Sequence, residues 1–261
     1  MDTPSQRAGP VVKICGVRTA EAAVAAADAG ADIIGMIFAP SPRLIDVATA
    51  RAIAQAVRPA GGSSNSDNED GAPWDAAAGV DQGAAAAEFF AASAKRLMAA
   101  GRPLLAGVFQ NQPLEHILEV ARAVPLDLVQ LHGTEPVAMA RQIPVPVIKV
   151  FHVDDAFSVD DAARTGDMLA THHHAAILLD TKVAGTAQQG GHGVSFDWTI
   201  ARRLSDRGVP FLMAGGLVPE NVAEAIGVGR PWGVDVSSGV ETDRVKDADK
   251  IRAFVANARL A

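Results

Sequence analysis

The sequence predicts a single α/β domain folded as a (β/α)₈ barrel. Eight short apolar runs alternate with helix-forming stretches, and the chain, at 261 residues, has the length of one large barrel. The first run is followed by Gly16-Val17-Arg18-Thr19 and not by the G-x-G-x-x-G turn that a doubly wound open sheet with a dinucleotide site requires. Two small domains fit the length as well, but the unbroken alternation favours one barrel over residues 11–259, preceded by a tail at 1–10.

In chain order the predicted strands are Val11–Cys15, Asp32–Phe38, Leu104–Phe109, Leu126–Leu131, Val145–Val150, Ala175–Asp180, Val209–Ala214 and Trp232–Ser237. Each is short and mostly apolar along its length, as parallel strands covered on both faces must be. Eight is also the number of strands that closes a barrel filled by its own side chains. The helices predicted between them cover Thr19–Ala29, Val47–Val57, Ala84–Ala100, Leu114–Ala123, Pro136–Arg141, Phe196–Asp206, Pro219–Ile226 and Asp247–Ala258. Thr19 with Glu21, Thr134-Glu135-Pro136 and Pro219-Glu220 put caps, acids and prolines at helix starts, where unpaired N–H groups favour them. Ala29-Gly30 and Ala100-Gly101 read as stops. Asp154–Ala170 fits a helix or an irregular crossover.

Composition narrows the functional classes. Apolar residues make up 49% and charged residues 20%, with no apolar run long enough to cross a membrane. A net charge of −7 argues against a nucleic-acid groove, which needs a basic surface. Asp67, Glu69, Asp70, Asp75 and Asp81 fall in one stretch, about 61–83, that reads as a flexible acidic insertion after the second helix. A tolerated insertion explains it as well as a docking role does. Met1–Pro10 lacks the apolar core of a secretory signal, and a single cysteine excludes a disulfide framework; both fit a cytoplasmic protein.

Reacting groups in such barrels sit where strands end, at one mouth. The polar residues at those ends include Cys15, Arg43 just past the second strand, Gln130 and His132, Lys149, Asp180, Gly215-Gly216, and Asp235 with Ser237-Ser238-Gly239. Alternation puts Lys13 and Cys15 on one side of their strand, and a nearby ammonium is expected to lower the thiol's pKa. A small buried thiol is the competing reading. Asp180 ends an otherwise apolar strand; it is either a cap or an acid whose pKa a dry site would raise. Gly215-Gly216 and Ser237-Ser238-Gly239 fall at the turns after strands seven and eight, where barrels of this kind bind phosphate through backbone N–H groups. Arg43 suits an anion through its planar fork, or is simply solvated. His132 touches substrate or only the rim. His172-His173-His174 reads as a polar loop, since consecutive residues cannot all face one metal ion, and no metal site is expected. Gln188–Gly193 reads as a flexible loop that can close over a ligand.

Taken together, Lys13-Ile14-Cys15-Gly16, Ser41-Pro42-Arg43, Val129-Gln130-Leu131-His132-Gly133, Leu178-Leu179-Asp180-Thr181, Gly190-Gly191-His192-Gly193, Ala214-Gly215-Gly216-Leu217 and Asp235-Val236-Ser237-Ser238-Gly239-Val240-Glu241 resemble the phosphoribosylanthranilate isomerases of tryptophan biosynthesis. The motifs run in that family's order from about Val11 to Phe254. The resemblance implies a cofactor-free Amadori rearrangement of N-(5-phosphoribosyl)anthranilate. It implies Asp180 as the acid that protonates the ring oxygen and Cys15 as the base that takes the C2 proton. Arg43 would hold the anthranilate carboxylate, and His132 and Asp235 would contact the substrate. Gly215, Gly216, Ser237, Ser238 and Gly239 would bind its phosphate. One departure is Val194, where the family's glycine-rich loop carries a lysine. Because the family also occurs fused to other tryptophan-pathway enzymes, the resemblance allows the chain to be one part of a multifunctional polypeptide. A metal-dependent epimerase would need His and Asp ligands at strand ends, which are not found; a barrel that only binds phosphorylated ligands would not need both Cys15 and Asp180.

Overall fold

A computed structural model of the chain describes residues 9–58, 85–101, 103–154, 157–158, 160–161, 165–181 and 197–261. Eight parallel strands close in chain order, the last pairing with the first. They are β1 Val11–Cys15, β2 Ile33–Ile37, β3 Leu104–Phe109, β4 Leu128–Leu131, β5 Val147–Val153, β6 Ala176–Thr181, β7 Phe211–Met213 and β8 Gly233–Val236. Helices α1 Ala20–Asp28, α2 Val47–Val57, α3 Ala86–Met98, α4 Leu114–Ala123, α5 Trp198–Asp206, α6 Val222–Gly229 and α7 Ala248–Leu260 pack outside them.

Period-two alternation sorts the strand side chains into two shells. Ile33, Leu104, Leu128, Ile148, Leu178 and Leu212 fill the barrel interior. Their neighbours Ile34, Leu105, Val129, Ile177 and Phe211 face outward against helix residues such as Phe89, Phe90, Ile251 and Phe254. Each such side chain taken out of water stabilises the fold by about 1.5–3 kcal/mol. Several helix starts use the expected chemistry: Thr19 accepts from Ala22 N–H at 3.2 Å, and Asp247 accepts from the N–H groups of Asp249 and Lys250.

Four expectations change. The helix predicted at Pro136–Arg141 is a 3₁₀ helix, Val137–Gln142, whose N–H groups reach carbonyls three residues back, as from Met139 to Pro136 at 3.0 Å. Glu135, placed by the sequence at a helix start, instead accepts from the N–H groups of Asn111 and Gly133 at 2.6 and 2.9 Å. The fifth strand starts later than predicted and continues to Val153, which carries His152 to the mouth. His174 is not part of a polar loop: it is fully buried against Phe90 and Phe151, and its Nε2 donates to the Met168 carbonyl at 3.2 Å. Burial holds that imidazole neutral, pushed down to about 3.

The crossover at Asp154–Ala170 shows helical bonds where it is described, from Thr165 N–H to Asp161 and from Leu169 N–H to Thr165, both 2.9 Å. The N-terminal tail up to residue 8, the acidic insertion at about 61–83, and the loop containing Gly190–Val194 lie outside the described residues. Among those described, no helix is long and apolar enough to cross a membrane.

Candidate active site

The C-terminal ends of the strands open into one cleft of about 780 Å³, counting the space open to solvent at its mouth. Cys15, Arg43, His132, Asp180, Gly215, Gly216, Asp235, Ser237, Ser238 and Gly239 all line it. The sequence therefore named residues that the fold does bring together.

Cys15 is buried at the end of β1, on the inner face that also carries Lys13. Gly35 lies beside it across the β1–β2 ladder, and a Cβ there would come within 2.8 Å of the sulfur. The thiol needs that missing side chain. Lys13 is fully buried, and its ammonium donates to Asp235 at 2.9 Å, its ladder partner on β8. The expected fall in the thiol's pKa does not occur. Burial pushes the Cys15 thiol up and the Asp235 charge adds to this, while Lys13 and Lys246 pull against it without winning. Burial likewise opposes the Lys13 charge, but Asp235 and Cys15 together hold that ammonium above its ordinary range.

Arg43 reaches the cleft with its fork already engaged. Its Nε and Nη2 donate to the two oxygens of Glu241 at 2.7 and 2.8 Å, the bidentate geometry that suits a guanidinium. Lys246 donates to the same carboxylate at 2.7 Å and to the Ser237 carbonyl at 2.9 Å. Burial raises the Glu241 carboxyl, but these two cations outweigh it and bring it down to about 2. Arg43, Glu241 and Lys246 thus tie the loop after β2 to the loop after β8. Asp235, expected to touch substrate, lines the cleft with one oxygen held by Lys13.

Across the mouth Asp180 ends the inner face of β6. Its Oδ1 accepts from Thr181 N–H at 2.8 Å, and Oδ2 lies 3.4 Å from Nε2 of His132. The dry site was expected to raise this carboxyl. Burial does push that way, but the hydrogen bond and charge of His132, the charge of His152 and the Thr181 N–H together pull it below the ordinary carboxylate range. His132 follows β4, with its N–H bonded to the Phe109 carbonyl at 2.8 Å and its own carbonyl accepting from His152 Nε2 at 3.0 Å. Lys149 faces outward, not into the mouth. It donates to the Gly133 carbonyl at 2.8 Å and pairs with Glu135 at 3.2 Å, bracing the turn that carries His132.

The glycine turn after β7 approaches β6 closely. Gly215 has φ +91°, and a Cβ there would overlap the Thr181 hydroxyl, so only glycine fits. Asn221 holds this turn by accepting from Val218 N–H at 2.8 Å and donating to the Gly216 carbonyl at 3.0 Å. Among the described residues no three His, Cys, Asp or Glu side chains gather as a metal site would require.

Sequence reasoning left Glu241, Lys246 and His152 without roles. Glu241 stood inside a quoted motif beside the Ser-Ser-Gly turn, so its partner was open but its presence was not. Lys246 and His152 carried no signal, because one belongs to a small hairpin, Glu241–Thr242 with Val245–Lys246, and the other to an unexpected strand extension.

Fold and cleft define a (β/α)₈-barrel protein with a thiol and a carboxyl facing one small-molecule site. A family model described as N-(5'-phosphoribosyl)anthranilate (PRA) isomerase matches residues 72–257. The chain is 42% identical over 253 residues to the N-(5'-phosphoribosyl)anthranilate isomerase of Roseiflexus castenholzii, covering 96% of this chain and 99% of that one. It is 43% identical over 260 residues to the multifunctional tryptophan biosynthesis protein of Phycomyces blakesleeanus, matching 95% of this chain but spanning only 32% of that protein. The crystal structure of phosphoribosylanthranilate isomerase from Thermotoga maritima superposes with a TM-score of 0.70 at 33% identity, covering 97% of this chain and all (100%) of that one. The chain belongs to the N-(5'-phosphoribosyl)anthranilate isomerase family. Its reaction is the Amadori rearrangement of N-(5-phosphoribosyl)anthranilate to 1-(2-carboxyphenylamino)-1-deoxyribulose 5-phosphate, a step of tryptophan biosynthesis.

Proposed function

We propose that Asp180 and Cys15 are the acid and base of this rearrangement. The observation that carries the reading is their placement: both are buried at inner-face strand ends, on β6 and β1, and both line the one cleft that the Gly215-Gly216 and Ser237–Gly239 turns also border. Asp180, protonated, gives its proton to the furanose ring oxygen. The C1–O bond breaks with its electron pair going to that oxygen, while the nitrogen lone pair forms the C1=N bond of a Schiff base. Cys15, as thiolate, takes the C2 proton; the C–H pair becomes C1=C2 and the C=N pair returns to nitrogen. The resulting enolamine tautomerises to the ketone.

Burial of the substrate over Asp180 strengthens the one influence that already raises its carboxyl, which is how the acid gains its proton in the complex. Lys13 and Lys246 favour the thiolate form of Cys15 against the same desolvation. The N–H groups of Gly215, Gly216, Ser237, Ser238 and Gly239 are proposed to hold the phosphate, and the outer edge of the Arg43 fork the anthranilate carboxylate. One solved relative was crystallised with reduced 1-(o-carboxyphenylamino)-1-deoxyribulose 5-phosphate, and it superposes on 97% of this chain with a TM-score of 0.68. That likeness supports placing the same kind of ligand here. The eight strands close without help from outside residues. Such a barrel can serve alone or as a module of a longer tryptophan-pathway polypeptide, and we infer a cytoplasmic location for it.

The test is the loss of substrate fluorescence with wild-type protein, Cys15→Ser and Asp180→Asn. Turnover by the wild type with loss in both variants is expected. Full activity in either variant removes that residue's role, and binding without turnover in the wild type would leave only a phosphate-binding barrel.

A further inference from the structure

One buried group near the acid has no part in the chemistry above. Gln130 lies on the inner face of β4, two residues past Leu128, among the apolar side chains that fill the barrel. It is fully buried, and its Oε1 has no hydrogen-bond partner. A buried amide with half its capacity unmet destabilises a core relative to an apolar side chain of the same size. Its other half is engaged: Nε2 stands 2.9 Å from Nδ1 of His132.

An amide N–H₂ can only donate, so the His132 nitrogen facing it must accept. In a neutral imidazole the hydrogen is then on the opposite nitrogen, Nε2, and that nitrogen is the one 3.4 Å from Asp180 Oδ2. The other tautomer would turn a lone pair toward the carboxylate and a hydrogen toward a donor. The ring is held for this task from several sides. Its backbone N–H is bound to the Phe109 carbonyl, and His152 from β5 donates to its carbonyl. On the far side, Thr181 N–H holds the second oxygen of Asp180.

We propose that Gln130 is a positioning residue for the acid: its side-chain amide confines His132 to the Nε2–H tautomer and so aims an N–H, not a lone pair, at Asp180. The consequence falls on the ring-opening step. When Asp180 gives its proton to the ring oxygen it becomes a carboxylate, and the waiting Nε2–H stabilises that charge as it forms. The hydrogen bond of His132, one of the influences that lower the Asp180 carboxyl against its burial, agrees with this. This inference rests on the reading of Asp180 as the acid.

The experiment uses ¹⁵N-histidine NMR on the free protein, with the His132 signals assigned by their absence in His132→Asn, together with steady-state kinetics. Wild-type His132 should be protonated at Nε2 and bare at Nδ1. Gln130→Glu keeps the size of the side chain and, at a pH where its carboxyl is ionised, offers only acceptors, so Nδ1 should become protonated and kcat should fall about tenfold, the worth of one hydrogen bond. KM should move by less than about twofold, since Gln130 does not itself line the cleft. Gln130→Met should lose the tautomer preference and the same share of kcat while melting no lower than wild type. If Met at this position fails to fold, the isosteric Glu variant decides alone. An Nδ1 that stays bare beside the ionised carboxylate of Gln130→Glu, or loss of the Nε2–H with wild-type kcat, would overturn the proposal. The tautomer needs no turnover to be seen, so it stays readable if Asp180→Asn proves active and only the acid role fails.

Discussion

The two sides of the barrel mouth are built from different chemistry. Around Cys15 the neighbours are permanent charges locked in pairs: Lys13 with Asp235, and Arg43 with Glu241 and Lys246. Around Asp180 they are imidazoles and an amide, His132, His152 and Gln130, which carry no permanent charge. The difference follows the two tasks. A buried base must become an anion in a dry place, and only fixed cations offset that cost. An acid must hold a proton and then release it, which suits an N–H donor that stabilises the carboxylate as it forms over a fixed cation that would keep it ionised throughout. Both groups are displaced from where their surroundings alone would put them: burial wins at Cys15, and hydrogen bonding wins at Asp180.

The comparison breaks first at the reacting groups themselves. Asp180→Asn and Cys15→Ser should each lower kcat by about 10²–10⁴-fold, the usual share of a general acid or base. Next in size is Lys13→Met, which strands the Asp235 charge inside the barrel and should cost about 3–5 kcal/mol in urea unfolding. The same variant removes the main charge favouring the thiolate, so the rising alkaline limb of kcat/KM should move to higher pH. Replacing Asp235 with Leu as well should restore stability but, although it removes a charge that raises the thiol, bring that limb only part of the way back. If stability returns and the limb returns fully with it, Lys13 only holds the fold together.

Glu241→Gln should act on binding. Losing the charge that fixes the Arg43 fork should raise KM about tenfold, the worth of one charge-assisted hydrogen bond, with little change in kcat. A fall in kcat with KM unchanged would place Glu241 on the reacting centre instead. The smallest effect at neutral pH concerns His174. Its imidazole is neutral in the folded protein down to about 3, against an ordinary value of 6.5. The unfolded chain therefore binds the proton first, so the stability tied to this residue is complete above pH 6.5 and is lost as pH falls toward 3. His174→Gln should flatten that part of the melting-temperature curve, and an unchanged acid slope would show that other groups set it.

The barrel was legible because its information is local. Strands such as Leu104–Phe109 and helices such as Val47–Val57 and Leu114–Ala123 carry their own periodicity, and their ends fall where predicted. The residues of the cleft were also legible, since a polar side chain ending an apolar strand stands out whatever surrounds it. Environments were not. Lys13 promised a low thiol pKa and three apolar neighbours promised a high carboxyl pKa, and both signs came out reversed. The sequence holds no measure of how fully Cys15 is dried, and it does not say that His132 and His152 converge on Asp180 from two other strands. His174 was misread for the same reason, because a histidine between two others looks polar until Phe90 and Phe151 close over it.

The division of labour across the mouth is tested most directly by following deuterium placed at C2 of N-(5-phosphoribosyl)anthranilate. Wild-type protein should release it to water during turnover, with a primary isotope effect on the proton-abstraction step. Cys15→Ala should bind the substrate yet keep the label at C2. Release of deuterium by Cys15→Ala at the wild-type rate would contradict the account, because some group other than the buried thiol would then be taking the proton.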